Sequence, residues 1–588
     1  MMKRRLVSQL YLSSLILAAL MLFGSCSQKG PVATSVSSAG ETAESTGETG
    51  DSSLAKTGSE AEKVSLRIAW NEAAQSTADK TDWPTRIAEE VFAKTGVTFE
   101  IDGMDDEKFS VLLAGGDLPD MVFLNGNSFV NQLIEGKHVI ELDGLVQSNG
   151  PEVLARHESR LDFNREFAGK DGKLFFLSVN AGPNSPAFSL DMGYVVRWDY
   201  YKELGYPEIK DEMDLLDAVA EMQKAHPETD DGKTVYGMGY FTDWSGLWSY
   251  RINLFREGFA ELSDPGYLYA TSDSSLKQNY IETDSPLWRT AQFMYQANGM
   301  GLLDPDSFTM KQADYSAKAV EGQYLTNSTL WFIQDFNAEE IKRDPNSDRG
   351  YVCIPVEGSS SWNNGETKAG WYKFWGITKN CQTPEKAMDL INYFYSEDGV
   401  RTNYAGIKGE HWDVDESGKA YIFPETIEMM NTGSNPEVGF GEFTNFCGSY
   451  GGTVFSDGVV ADLTATPEVL KLRVTGVYKD YCEYYQVDYP DQAIGKMVNE
   501  GKMTDGSVGN GDIAAVMAQP PDDIKRIDAK MLEIFTRSLP VLVLSEDDEM
   551  FETNKQALLD ELKDAGSETS AEWWRQALAE AVTATTKF

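Results

Sequence analysis

The spacing of apolar residues changes at Val64, and from there it predicts an ordered series of strands and helices. Alternation at a period of two predicts strands, and apolar positions three and four residues apart predict helices. The first predicted elements are the strand Val64–Trp70, the helix Asp82–Thr95, the strand Val97–Ile101, the helix Glu107–Ala114 and the strand Asp120–Leu124. This order predicts a mainly parallel sheet covered by helices.

Further elements follow along the chain. Asp211 is a candidate N-cap for the helix Asp211–Ala225, and Thr383 is a candidate N-cap for the helix Pro384–Tyr395. Pro384 suits the first helical turn, where a missing N–H costs nothing. We also predict the strand Tyr236–Phe241 and the helices Glu552–Leu562 and Ala571–Val582.

Polar residues follow two strands of the predicted sheet. Trp70 and Asn71 end the first strand, and Asn125 and Asn127 follow the third. In open parallel sheets, ligands bind beyond the carboxyl ends of the strands. We therefore expect this edge of the sheet to face a ligand.

The N-terminal residues predict an exported protein. Three basic residues precede the apolar run Leu15–Phe23, which is too short to span a bilayer. The run ends in Leu22–Cys26, which resembles a bacterial lipobox, so we expect residues 1–25 to be a signal peptide and Cys26 to be lipidated. Ser, Thr and Gly dominate the segment that follows, which predicts a flexible tether over residues 26–61 before a body at 62–588.

Composition excludes several classes of partner and site. The 588 residues carry 51 Lys and Arg against 93 Asp and Glu, a net charge of −42, which argues against nucleic acid or an anionic lipid surface as the main partner. Five cysteines without a CxxC pair, and only four histidines, argue against a zinc site. We expect no metal and no cofactor. Pairing among Cys353, Cys381, Cys447 and Cys482 stays open.

Several stretches together resemble the extracellular solute-binding lipoproteins of bacterial ABC importers, in their oligosaccharide-binding branch. They are the turn and strand Leu112–Val122, the strand and helix Val195–Pro207, the short Leu303–Asp306, and the strand and helix start Trp375–Lys379 with Thr383–Ala387. Each is weak alone, but the four occur in order behind the lipobox and the tether.

The resemblance implies an α/β, two-lobed fold of the periplasmic-binding-protein kind (type II). Each lobe would be a mainly parallel sheet flanked by helices, with extra C-terminal helices. Lobe one would take about 64–185 and 376–412, and lobe two about 190–372 and much of 413–588. Many relatives hold calcium after the helix that matches Asp211–Ala225, but His226–Gly232 lacks that pattern, so we expect no calcium site there.

The resemblance also implies a binding function without catalysis. A monomer on the outer face of the cytoplasmic membrane, in a Gram-positive bacterium, would capture an oligosaccharide between its lobes and deliver it to the transmembrane subunits of an ABC permease.

Sugar recognition needs flat aromatic faces beside polar side chains that pair with hydroxyl groups. Loop positions that the resemblance places at the cleft supply such residues. The candidates are Trp70, Asn125, Asn127, Asp243, Trp244, Trp248, Trp331, Asp335, Trp371, Trp375, His411 and Trp412. Trp83 and Trp198 are expected in the core instead, because most tryptophans are buried in protein interiors.

Other function classes stay open at this point. A peptide or another polar solute would suit the same fold, and a secreted carbohydrate-active hydrolase would also need aromatics and paired carboxylates. The sequence contains no GxSxG, HExxH or GxxxxGK[ST] motif. A surface adhesin would explain the anchor and the tether but not the four motifs.

Overall fold

The computed structural model describes residues 63–77, 80–183, 188, 190, 192–243, 256–263, 266–361, 367, 370, 373–432, 435–506 and 512–587. The predicted signal peptide and tether lie outside the described residues.

Helices account for most of the regular structure in the described part of the chain. They are Arg86–Thr95, Asp106–Gly115, Val130–Glu135, Asp143–Asn149, Pro151–Phe167, Trp198–Glu203, Glu212–Ala225, Pro286–Gly299, Gln312–Val320, Gln334–Arg343, Pro384–Tyr395, Glu397–Ala405, Pro424–Thr432, Pro467–Leu472, Val477–Tyr485, Asp491–Asn499, Asp512–Val516, Asp522–Val543, Asp548–Asp564 and Ser567–Thr585. None of the described helices is both long and apolar enough to cross a membrane.

The strands are shorter and lie mostly in the first two thirds of the chain. They are Val64–Trp70, Val97–Gly103, Met121–Asn125, Gly169–Lys170, Lys173–Leu174, Leu177–Ser178, Met192–Arg197, Phe259–Ser263, Tyr267–Ala270, Leu276–Gln278, Thr326–Thr329, Tyr351–Ile354, Lys373–Ile377, Trp412–Val414 and Ala420–Ile422.

Side-chain caps decide where some helices begin. The helix expected from Asp82 begins at Arg86, because the Thr85 hydroxyl accepts a hydrogen bond from the N–H of Ala88. Asp211 caps its helix as predicted, since its carboxylate accepts from two backbone N–H groups. Thr383 makes no capping hydrogen bond with its side chain, although the helix after it has the predicted bounds.

The first sheet has the strand order Val97–Gly103, Val64–Trp70, Met121–Asn125, Lys373–Ile377, Leu177–Ser178. Its first three strands are parallel, as the β-α-β-α-β pattern predicts. Lys373–Ile377 enters from elsewhere in the chain and pairs antiparallel with both its neighbours. This topology confirms the predicted parallel unit and the returning strand.

The second sheet places Met192–Arg197 between Thr326–Thr329 and Tyr351–Ile354. Both pairings are antiparallel, which differs from the expected mainly parallel sheet. Both partner strands come much later in the chain, after several helices, so the local order of elements does not fix the direction of this pairing. Tyr236–Phe241 was predicted as a strand but contributes only isolated bridges, Tyr236 to Tyr324 and Met238 to Leu303, and these are parallel.

Two large apolar cores correspond to the two sheets. The first core, around the first sheet, also buries Val438, Phe443 and Phe446. The second core, around Met192–Arg197, is completed by residues from Val477 to Ala581, including Trp574. Trp198 lies in the second core and Trp83 packs against the first, as expected. We call the bodies around these two cores the first and second lobes.

The cysteines in the described residues form no disulfide. Cys353, Cys381, Cys447 and Cys482 are all buried thiols. Burial raises the pKa of the Cys482 thiol to about 11, because a thiolate is poorly solvated there.

Candidate functional site

The carboxyl edge of the first sheet is organised by Asn71. Its side-chain oxygen accepts a hydrogen bond from the N–H of Asn125 at 2.7 Å, and its Nδ2 donates to the carbonyl of Asn125 at 3.1 Å and to Asp106 Oδ1 at 2.9 Å. Asn71 therefore fixes the end of the strand Met121–Asn125. The side chain of Asn125 is left exposed at the edge, where it lies 3.4 Å from Glu72 Oε2.

Lys373 adds a cation to this edge. It is the register partner of Asn125, and its Nζ donates to Asn445 Oδ1 at 2.6 Å and lies 5.6 Å from the centre of the Trp70 ring. Burial lowers the pKa of Lys373, and the carboxylate of Glu72 opposes that shift. The candidate residues did not include Lys373 or Asn445, because only the strand register brings residues so distant in sequence together.

Trp70 and Trp375 lie inside the first core, which corrects their prediction as ligand-stacking residues. Trp375 is 0 % exposed, and its indole N–H donates to the carbonyl of Phe446 at 3.2 Å. Trp70 is 1 % exposed and packs edge-on against Phe123 at a centroid distance of 4.9 Å. Both rings are enclosed by other aromatic side chains, so neither offers a face to a ligand.

His411 and Trp412 are also structural, contrary to prediction. His411 Nδ1 accepts a hydrogen bond from the N–H of Ile407 at 3.0 Å, and the Trp412 indole N–H donates to the carbonyl of Gly406 at 2.7 Å. Both side chains are buried and hold a tight loop together. Burial lowers the pKa of His411, which favours the neutral ring that this hydrogen bond requires.

In the second lobe, two predicted site residues differ in their surroundings: Asp243 caps the start of a helix, and Trp331 is an exposed aromatic residue. Asp243 Oδ2 accepts from the N–H of Gln312 at 2.7 Å, where a helix begins, and this bond lowers the pKa of Asp243. Asp243 is therefore occupied structurally. Trp331 is 41 % exposed on the turn before the helix Gln334–Arg343, and Asp335 is exposed in its first turn. Part of the Trp331 side chain is thus exposed to solvent.

The remaining predicted residues divide into two groups. Trp244, Trp248, Trp371 and Cys26 lie outside the described residues. Asn127 is half-buried, and its side-chain oxygen accepts a hydrogen bond from Nε2 of Gln519, a residue almost 400 positions later.

The loop His226–Gly232 is held by an ion pair at Asp230 and a hydrogen bond at His226. Asp230 lies 2.8 Å from Arg349, which lowers the pKa of that carboxyl group, and His226 Nε2 lies 2.6 Å from Glu203. In the part of the chain that the structure describes, no group of three or more His, Cys, Asp or Glu side chains is arranged to hold a metal ion.

Two cavities of about 580 and 550 Å³ lie elsewhere and share Tyr489 in their linings. The first is lined by Phe188 and the segment 487–500, and the second mainly by 415–472. Neither includes a predicted site residue, and the sequence carries no motif that marks them.

The fold resembles solved sugar-binding proteins. One of them is an EF-hand mutant of the ABC-transporter substrate-binding protein FusA from S. pneumoniae, in complex with fructo-nystose. It superposes with a TM-score of 0.59 at 16% identity, covering 88% of this chain and 99% of that one. A solute-binding protein for HMO (the ligand as named for that structure) from Bifidobacterium longum infantis gives 0.58 at 12% identity, covering 88% and 98%. The alginate-binding protein AlgQ2, without calcium ion, gives 0.56 at 16% identity, also covering 88% and 98%. These likenesses confirm the two-lobed fold.

Sequence comparison gives the family. No curated protein matches the chain. The model of the family described as bacterial extracellular solute-binding protein matches residues 74–401, which is more than half of the chain and runs from the first sheet through the second to the returning strand and its helices. The chain therefore belongs to the bacterial extracellular solute-binding proteins.

Proposed function

We propose that this protein is the oligosaccharide-binding component of an ABC importer, held at the outer face of the cytoplasmic membrane by a lipid on Cys26. Three observations support the proposal: the family, the sugars named for several proteins of the same fold, and the polar edge of the first sheet. The third carries most weight, because it belongs to this chain.

The chemistry of that edge suits a polyhydroxylated ligand. Asn125 and Asn445 each offer a donor and an acceptor, and Lys373 offers a charged donor. Closure on a ligand would bury these groups, and each one then left unpaired costs roughly 1–3 kcal/mol, so a ligand that pairs with them is selected over one that does not. The exposed face of Trp331 would supply stacking from the second lobe, together with Trp244, Trp248 and Trp371.

The proposed mechanism is capture by closure. The ligand enters between the lobes, the lobes close on it, and the closed monomer docks on the permease. The binding free energy is the favourable energy of the ligand contacts, reduced by the free-energy cost of closing the lobes. For the lobes we propose the boundaries about 64–185 with 376–412, and about 190–372 with much of 413–588.

A panel of oligosaccharides tests the function. Fructo-oligosaccharides, alginate fragments and milk oligosaccharides would be added in separate thermal-shift assays. We expect one class to raise the melting temperature. The corresponding gain in the free energy of unfolding is about RT ln(1 + [L]/Kd), or roughly 2.7 kcal/mol when the free ligand concentration is 100 times Kd. Chromatography after long incubation should recover the sugar intact.

Three outcomes would contradict this proposal. Release of shorter sugars would indicate a hydrolase. Stabilisation by peptides alone would indicate a different ligand class, and no response to any sugar of the panel would contradict an oligosaccharide receptor.

The lipid anchor has its own test. Cells grown with an alkyne-labelled fatty acid should label the protein, and Cys26→Ser should abolish both the label and the membrane association. The matched control is Ser25→Thr, which keeps a small residue before Cys26. Label persisting in Cys26→Ser would contradict the anchor.

A further inference from the structure

One short helix is buried in both lobes at once. In Asp512–Val516, Ile513 lies in the second core together with the following Met517. Ala515 packs instead against Phe163, with Phe167 and Val516 beside it. Phe163 belongs to the helix Pro151–Phe167, whose Val153 and Leu161 lie in the first core. The helix therefore joins the two cores by its opposite faces.

A buried cation lies on the first-lobe side of this helix. Arg160 is 5 % exposed, and its Nη1 donates to the carbonyl of Ser178 at 2.9 Å and to that of Gly448 at 2.7 Å. These carbonyls belong to two neighbouring segments of the chain, which are bridged just beyond them, at Ala181 and Ser449. Arg160 thus ties together two neighbouring segments of the first lobe.

Asp512 provides negative charge for this cation. Burial lowers the pKa of Arg160 to about 10, and Tyr395 and Asp512 act against that shift. Asp512 also adds to the rise in the pKa of Tyr269, which is caused mainly by burial in the second lobe. The carboxylate of Asp512 is 6 % exposed and belongs to the helix whose Ile513 and Ala515 pack toward the two lobes.

The same segment reaches the ligand edge. Gln519 donates its side-chain hydrogen bond to Asn127, just beyond the carboxyl end of the strand Met121–Asn125. Asn127 lies on the side of the first lobe where a ligand is proposed to bind, so this hydrogen bond links the segment to that side.

We propose that Asp512–Gln519 is an interlobe strap that sets the balance between closed and open forms, and hence the affinity of the binding site. Asp512, Ala515 and Gln519 act as positioning residues: they hold the lobes together and touch no ligand. The strap goes beyond the proposed function, because its effect on lobe separation exists without any ligand.

Distance measurement between spin labels tests the strap. Labels would be placed by Lys108→Cys in the first lobe and Lys224→Cys in the second, whose native side chains are 73 % and 75 % exposed. The background is the full chain with Cys26→Ser, in which Cys353, Cys381, Cys447 and Cys482 are buried. Without ligand, we expect a short and a longer distance in this background, and a shift of the population toward the longer one after Phe163→Ala, with at least a tenfold rise in the ratio of open to closed forms.

Two further variants complete the design. Asp512→Asn keeps the shape, removes the charge and should shift the distances in the same direction. Phe99→Ala removes an equally buried ring from the first core, away from the strap, and should lower stability without changing the distance. The strap would be overturned if the distances stayed unchanged in both Phe163→Ala and Asp512→Asn. It would also be overturned if Phe99→Ala broadened the distance distribution as much as Phe163→Ala does. If Phe163→Ala fails to fold, the comparison of Asp512→Asn with Phe99→Ala decides.

Discussion

Trp375→Ala is expected to lower the free energy of unfolding by about 3–5 kcal/mol, the range for truncating a large buried aromatic. The ring is fully buried and contacts Phe123, Phe394 and Phe446 at centroid distances of 4.7, 6.3 and 4.6 Å. Alanine would leave a cavity at the centre of the first sheet. It would also leave the Phe446 carbonyl, which now accepts the indole N–H, without this donor. Urea unfolding followed by circular dichroism measures the change.

Trp331→Ala is the matched control, because it removes the same side chain from a surface position. We expect its unfolding free energy to stay within about 0.5 kcal/mol of the wild type. Its affinity for a sugar identified by thermal shift should fall by about 2 kcal/mol, roughly 30-fold. The opposite pattern, in which Trp375→Ala loses only affinity and Trp331→Ala only stability, would refute the assignment of core and ligand roles.

Asp199→Ala is expected to cost about 3–5 kcal/mol of stability, because it leaves a buried arginine without its counter-ion. Arg197 donates Nε to Asp199 Oδ1 at 2.6 Å and Nη2 to Oδ2 at 3.1 Å. Its guanidinium also lies 4.4 Å from the ring centres of both Tyr200 and Phe336, so water cannot replace the lost carboxylate. Thermal and urea unfolding measure the effect.

A surface ion pair provides the comparison. Glu208 lies 3.1 Å from Lys210, and both side chains are more than two thirds exposed, so Glu208→Ala should leave the unfolding transition essentially in place. Replacing Arg197 and Asp199 together by Met and Leu should recover much of the loss, since no buried charge remains. A loss in Asp199→Ala no larger than that in Glu208→Ala would contradict the argument.

The sequence predicts local structure here better than it predicts exposure. The strand Val64–Trp70 and the helix Pro384–Tyr395 occur with their predicted bounds, since the strand depends on local alternation and the helix on local spacing and on Pro384. Trp331 and Trp375 each stand next to a phenylalanine in an apolar stretch of the sequence, yet one is exposed and the other buried. Local pattern cannot separate them, because burial depends on what the sheet register brings alongside.

Long-range contacts are the other part that the sequence does not predict. Lys373 reaches Asn445 only because the returning strand pairs with Asn125, and Ala515 reaches Phe163 across about 350 residues. The family resemblance predicts two lobes correctly, but it comes from turn and strand motifs. It carries no information on which helices join the lobes in this chain.

The returning strand Lys373–Ile377 also limits which part of the protein can fold first during synthesis. Lys373–Ile377 lies between Met121–Asn125 and Leu177–Ser178, and the first core further needs Phe446. A nascent chain that ends before Lys373 has an unpaired edge at Met121–Asn125, the kind of edge on which chains aggregate. The N-terminal lobe therefore cannot finish folding first, in contrast to the usual course of synthesis. A chain interrupted midway lacks part of both cores, so we expect it to be less stable than the full chain.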